Sequence, residues 1–104
     1  MKISLDAVEA LDAVVRHGSF SAAAKAMRKA QSAVSYGIKQ LEEGLGVALF
    51  DRRGHRAVLT DAGRMVLEEG RVILARVRRV ESLAERFHGR RKTNQFLLSS
   101  ASSG

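Results

Sequence analysis

The sequence predicts a mainly α-helical domain in which three short helices are followed by a two-stranded hairpin and one long closing helix. Three observations lead there. Apolar residues recur at helical spacing through the first half of the chain, and "VALFDRRGHRAVLT" places two strand-forming runs around a glycine-bearing turn. From Asp61 to about Phe87 only Gly63 and Gly70 interrupt a helical pattern. With 104 residues, 45% of them hydrophobic, and no proline, the chain suits one small domain with an appendage, and a two-domain enzyme does not fit.

The first helix is expected over Leu5 to His17, burying Leu5, Val8, Leu11, Val14 and Val15 and stopping at Gly18. Ser19 or Ser21 can cap the second, "SAAAKAMR", whose Ala23 and Ala24 permit close approach of another helix. Lys29 and Ala30 make the turn. In the third helix Val34, Ile38, Leu41 and Leu45 form the buried stripe, which puts Ser32, Tyr36, Lys39 and Glu43 outward. That outward side is basic at its start and acidic at its end. Such a gradient suits a helix presented N-terminus first to phosphate, although an ordinary amphipathic helix would also carry a polar face.

Strands are expected at Val47 to Phe50 and Ala57 to Leu59, with Gly54 at the tip among Arg52, Arg53, His55 and Arg56. A tip needs only to be polar, and three arginines exceed that need; arginine is favoured in a minor groove by its negative potential. Thr60 is the expected N-cap of the long helix, with Asp61 in its first turn. A helix reaching roughly 40 Å at 1.5 Å per residue cannot bury itself in so small a core. Its positions Val66, Gly70, Ile73, Val77, Val80, Ala84 and Phe87 follow a heptad seam, which favours self-association, with the first two turns able to pack on their own domain. Beyond His88, "GRRKTNQFLLSSASSG" reads as a basic linker and tail or as the opening strand of a further domain.

The net charge of +7 calls for an acidic partner, and its placement narrows the choice. No acid lies between Asp12 and Glu42, where Arg16, Lys25, Arg28, Lys29 and Lys39 fall, and Arg52 to Thr60 is a second acid-free run. A solvated face would mix its signs. The absence of cysteine excludes disulfides, thiolate zinc sites and thiol catalysis. No apolar run approaches the ~18 residues of a membrane span, and Asp6 and Glu9 stand where a signal peptide would be apolar, so a cytoplasmic protein is expected. Catalysis has little basis: His17, His55 and His88 lie in separate elements, and Glu42 with Glu43, like Glu68 with Glu69, diverge around a helix. With no phosphate loop or metal-ligand cluster, no cofactor or metal is expected.

A tight turn between two helices, a basic-polar outward face, an arginine hairpin and a long self-associating helix together describe a winged helix-turn-helix. Order and spacing go further. Through "GSFSAAAKAM", "QSAVSYGIKQLEEGLGVALFDR" and "LTDAG", the chain resembles the N-terminal DNA-binding domain of LysR-type transcriptional regulators from Leu5 to about Phe87. The resemblance implies a positioning helix at Ser21 to Arg28, a recognition helix at Gln31 to Leu45, a wing with Arg52, Arg53 and Arg56, and a dimerising linker helix from Thr60. Residues 1–60 then form the winged helix-turn-helix, 61–88 the linker helix and 89–104 a basic linker and tail, where such regulators continue into a ligand-sensing effector domain. Either this is a fragment or a naturally short relative.

The sequence departs from the family pattern at named places. Ala30 stands where a capping serine is usual, which costs about 1 kcal/mol unless Ser32 caps instead. Ser32 replaces a usual proline. Gly37 inside the recognition helix costs ~1 kcal/mol relative to alanine, and Tyr36 stands where arginine is frequent. The expected contacts to double-stranded DNA are Gln31, Ser32, Ser35, Tyr36 and Lys39 at base edges and adjacent phosphates, with Gln31 the candidate for a bidentate base contact. Lys25, Arg28 and Lys29 either anchor the DNA backbone or face solvent. A homodimer, or a tetramer made of two, would select an interrupted palindrome with half-sites about 34 Å apart or a multiple of that. A small-molecule inducer enters only with an effector domain. Two other readings compete: a module that heterodimerises with a full-length regulator through the long helix while binding DNA poorly, and membrane-surface binding from Arg71 to Lys92, which Glu81 and Glu85 disfavour.

Overall fold

A computed structural model describes residues 1–53 and 57–98, the last ten of these as backbone only. The elements run α1 (Leu5–His17), α2 (Phe20–Met27), α3 (Gln31–Leu45), β1 (Phe50–Asp51), β2 (Val58–Leu59) and α4 (Asp61–Leu98). They fall into two units, Met1–Leu74 and Ala75–Gly104. Among the described residues the second unit is the later part of α4.

The first unit is built around apolar stripes that the helical period brings to one side of each helix. Val8, Leu11 and Val14 of α1, Ala23 and Ala24 of α2, and Val34, Ile38 and Leu41 of α3 are buried together, with Leu49, Phe50, Val66 and Leu67 closing the core. Leu5, expected on the buried side, is 43% exposed because it opens the first turn. Ser4 and Ser19 cap α1 and α2 by accepting from the amides of Ala7 and Ala22. Helix α2 thus begins at Phe20, one residue before the expected Ser21.

The turn between α2 and α3 starts earlier than expected. Arg28 caps α2 in the left-handed region at φ 56°, ψ 46°, the only non-glycine residue with positive φ among the described residues. The Lys29 amide then reaches back to the Ala24 carbonyl at 2.9 Å. A left-handed L-residue costs roughly 1–2 kcal/mol, so the compact turn is held against local strain. Ala30 is the N-cap of α3 and gives no side-chain cap; Ser32 does not take over. Instead the amides of Ala33 and Val34 share the Ala30 carbonyl at 3.0 and 3.3 Å.

The wing strands are shorter than the sequence suggests. Val47, Ala48 and Leu49 stay outside β1, Ala57 stays outside β2, and the antiparallel pair is Phe50 with Leu59 and Asp51 with Val58. The cause lies in Glu42. Its backbone carbonyl accepts from Gly46 and Val47, and its carboxylate accepts from Leu49 at 2.8 Å and Phe50 at 3.3 Å. Amides satisfied by α3 have no need of a strand partner. The tip residues Gly54, His55 and Arg56 lie outside the described residues.

Thr60 joins the wing to α4, donating its hydroxyl to the Ala48 carbonyl at 2.6 Å and accepting the Gly63 amide at 2.9 Å. Gly63 is required by packing: a Cβ there would overlap the Leu49 carbonyl oxygen. Helix α4 continues to Leu98, through residues assigned above to linker and tail. Gly89 does not stop it, since a single glycine only lowers helix propensity by about 1 kcal/mol.

Candidate nucleic-acid interface

Burial of Val34, Ile38 and Leu41 turns the opposite side of α3 outward. Gln31, Ser32, Tyr36 and Lys39 are exposed there, and Ser35 is half-buried at its margin. Tyr36, at 65% exposure, is the large side chain of this face. Lys25, Arg28 and Lys29 are exposed on α2 and the following turn. None of these four cations, Lys39 included, makes an ion pair among the described residues. At the start of α3 the amides of Gln31 and Ser32 have no intrahelical acceptor, and the unpaired Arg28 and Lys29 directly precede that end of the helix.

The wing arginines are less free than the sequence suggests. Arg52 sits 3.5 Å from the Glu42 carboxylate and stacks 5.4 Å above the Phe20 ring, which itself meets Phe50 at 5.5 Å. It ties β1 to α2 and α3, and only part of its guanidinium faces outward. Arg53 reaches back to Asp51, its Nε and Nη2 donating to the carboxylate at 2.7–3.2 Å. The Arg53 side-chain hydrogen bonds hold the Asp51 carboxyl down at about 2, and Asp51 pushes the Arg53 guanidinium up. Arg53 remains 90% exposed, so the pair presents an oriented guanidinium to solvent. Arg56 lies outside the described residues.

The expected seam on α4 divides. Val66 is buried in the core, and Gly70 lies so close to α1 that a Cβ would meet Val8 Cγ1 at 2.7 Å. Both pack on the domain itself, and both also line the apolar groove beside Ile73. Ile73, Val80 and Phe87 are 38%, 65% and 64% exposed, Val77 is half-buried and Ala84 is exposed. Within the first unit an apolar groove of about 260 Å³, lined by Ile3, Val8, Leu45, Val47, Met65 and Ile73 among others, opens beside the first of these.

Glu42 braces the wing, a role that its place beside Glu43 in the sequence does not suggest. The usable signal was its place seven and eight residues before two amides leaving a glycine-terminated helix.

Three helices with a tight turn, a reading helix set outward and a short two-stranded wing define a winged helix-turn-helix domain. The family model described as "Bacterial regulatory helix-turn-helix protein, lysR family" matches residues 5–64, and the chain belongs to that family. The probable HTH-type transcriptional regulator YhaJ of Escherichia coli strain K12 is 47% identical over 83 residues, which are 80% of this chain and 28% of that protein. The DNA-binding domain of BenM, solved in complex with catB site 1 DNA, has a TM-score of 0.78 at 29% identity, covering 83% of this chain and 97% of that one. Full-length OxyR C199D of Pseudomonas aeruginosa has a TM-score of 0.78 at 25% identity, over 81% of this chain and 28% of that one. The chain thus spans little more than a quarter of the length of such full-length relatives. Its winged helix-turn-helix is a lysR-family DNA-binding domain, and the curated relatives it matches are named as transcriptional regulators. Among the described residues no helix is long and apolar enough to cross a membrane.

Proposed function

We propose that this chain binds specific double-stranded DNA as a homodimer in the cytoplasm, recognising an interrupted palindrome. The observation that carries this reading is the outward face of α3, where Gln31, Ser32, Tyr36 and Lys39 are exposed beside cations with no acidic partner. Gln31, Ser32, Ser35 and Tyr36 read base edges, with Gln31 as the bidentate contact. Lys39, Lys25, Arg28 and Lys29 hold phosphates, and Arg53, with Arg56, serves the wing. Arg52 acts mainly by bracing the wing. Dimerisation uses Ile73, Val77, Val80, Ala84 and Phe87, supported by the exposure of all but the half-buried Val77 and by the apolar groove beside Ile73. Where an effector domain follows, a small-molecule inducer belongs to that domain.

The heterodimerising module that binds DNA poorly is not favoured, because α3 forms over its full expected length despite Ala30 and Gly37. Competition binding tests the assigned roles. Lys39→Ala should weaken binding to all duplexes about equally and lower the salt slope by about one, whereas Gln31→Ala should relax preference at one base pair, costing ~1–3 kcal/mol there. Equal losses on every sequence for both variants would contradict the assignment.

A further inference from the structure

Asp12 is the one buried charged residue among those described, 6% exposed within α1. Both carboxylate oxygens are occupied by guanidinium groups. Arg16 Nη2 donates to Oδ2 at 2.9 Å from the next turn of α1, and Arg71 Nε donates to Oδ1 at 2.8 Å from α4. Among the described residues the second bond is the only side-chain hydrogen bond joining α4 to the α1–α3 bundle. Otherwise that stretch of α4 is held by apolar contact, through Val66, Leu67, Leu74 and the close approach of Gly70 to Val8.

Apolar contact is non-directional, so beyond the close approaches at Gly63 and Gly70 it does little to select the rotation of this stretch of α4. A charge-assisted bond to a fixed guanidinium nitrogen has direction, so it selects one rotation of the helix. Only the Asp12 end of the pair is buried, Arg71 being about half exposed, so the pair is a weak source of stability, and the attested return of such pairs is specificity of arrangement. Ile73, the first exposed seam residue, lies two positions beyond Arg71, about 200° further round the helix. Whatever fixes Arg71 therefore fixes the direction in which Ile73 is offered.

We propose that Asp12 and Arg71 form a latch that sets the rotation of α4 on the DNA-binding domain, and that this positioning pair determines which half-site spacing a dimer accepts. The proposal rests on the dimeric DNA-binding reading above. Neither residue touches DNA in it; both act by setting where the second copy is held.

The test uses the full chain and duplexes obtained by selection with the unaltered protein: one with both half-sites at the selected spacing, versions lengthened by one or two base pairs, and one with a single half-site. The unaltered protein should lose on the order of tenfold in affinity when the spacing changes, and Arg71→Ala and Asp12→Asn should flatten that loss to about threefold or less, with single-half-site affinity unchanged. Arg71→Lys, which keeps the charge but not the guanidinium geometry, should recover only part of the spacing preference. Circular dichroism of each variant monitors folding. A parallel fall on every duplex, with the spacing preference retained, would mean a merely structural pair and would overturn the latch. An unaltered protein that binds the single half-site but ignores spacing would overturn the latch while leaving DNA binding intact. Failure to bind any duplex would instead overturn the DNA-binding reading, and the latch with it.

Discussion

At Asp51 and Arg53 an exposed acid and base hold one another, and the consequence is measurable. The carboxyl sits at about 2, against an ordinary value of about 3.9. A depressed folded value means that this pair favours the folded form at pH above the ordinary carboxylate value, an advantage lost as pH falls through about 2. Solvent screening makes the stability effect small, so the titration itself is the useful readout. A carboxyl-carbon NMR titration should give Asp51 a midpoint near 2, moving to about 3.9 in Arg53→Ala; an unchanged midpoint would exclude the pairing. Gly63 offers a second single-residue test. Because a methyl there would collide with the Leu49 carbonyl, Gly63→Ala should destabilise the domain by about 1–3 kcal/mol, lowering its thermal midpoint.

Among the elements, α3 carries the proposed DNA contacts and also two local penalties. Its N-cap lacks a side-chain bond, and Gly37 occupies its interior although a Cβ there would meet nothing within 4 Å. Neither penalty is demanded by packing. Ala30→Ser and Gly37→Ala should therefore each stabilise the domain by about 1 kcal/mol, a rise of roughly 4–8 °C in thermal midpoint. Calorimetry of the single variants decides this, and a lower midpoint for Gly37→Ala would show that the helix needs the gap. The course of α3 was legible in the sequence because Val34, Ile38, Leu41 and Leu45 repeat at its period and Gly46 ends it in the left-handed region. The wing was legible only in outline. Strand propensity in Val47 and Ala48 gave no hint that the Glu42 carboxylate, from another element, would take the amides of Leu49 and Phe50. Arg28 was hidden for a similar reason: the strained turn is imposed by how α2 and α3 pack, against the residue's own preference.

For the whole chain, the outward face of α3, the family membership and the exposed apolar positions of α4 bear on one picture: two copies joined through α4, each offering its reading helix to DNA. The heptad pattern marked α4 as a helix with unburied apolar residues, and it put Val66 and Gly70 in the same seam although both pack on their own domain. Periodicity cannot tell a self-packed turn from a partner-packed one; the close approach of Gly70 to Val8 does. Positive charge was legible by position, yet Arg16, Arg52 and Arg53 all face acids; the pairs with Asp12 and Asp51 are local, whereas that of Arg52 with Glu42 on α3 is one that linear spacing does not reveal. Sedimentation of the purified chain with a duplex selected from a random pool, at rising salt, addresses the picture as a whole. Two chains per duplex at low salt, dissociating steeply as salt increases, are expected. A protein that stays monomeric and leaves the duplex unshifted even in dilute buffer would contradict it.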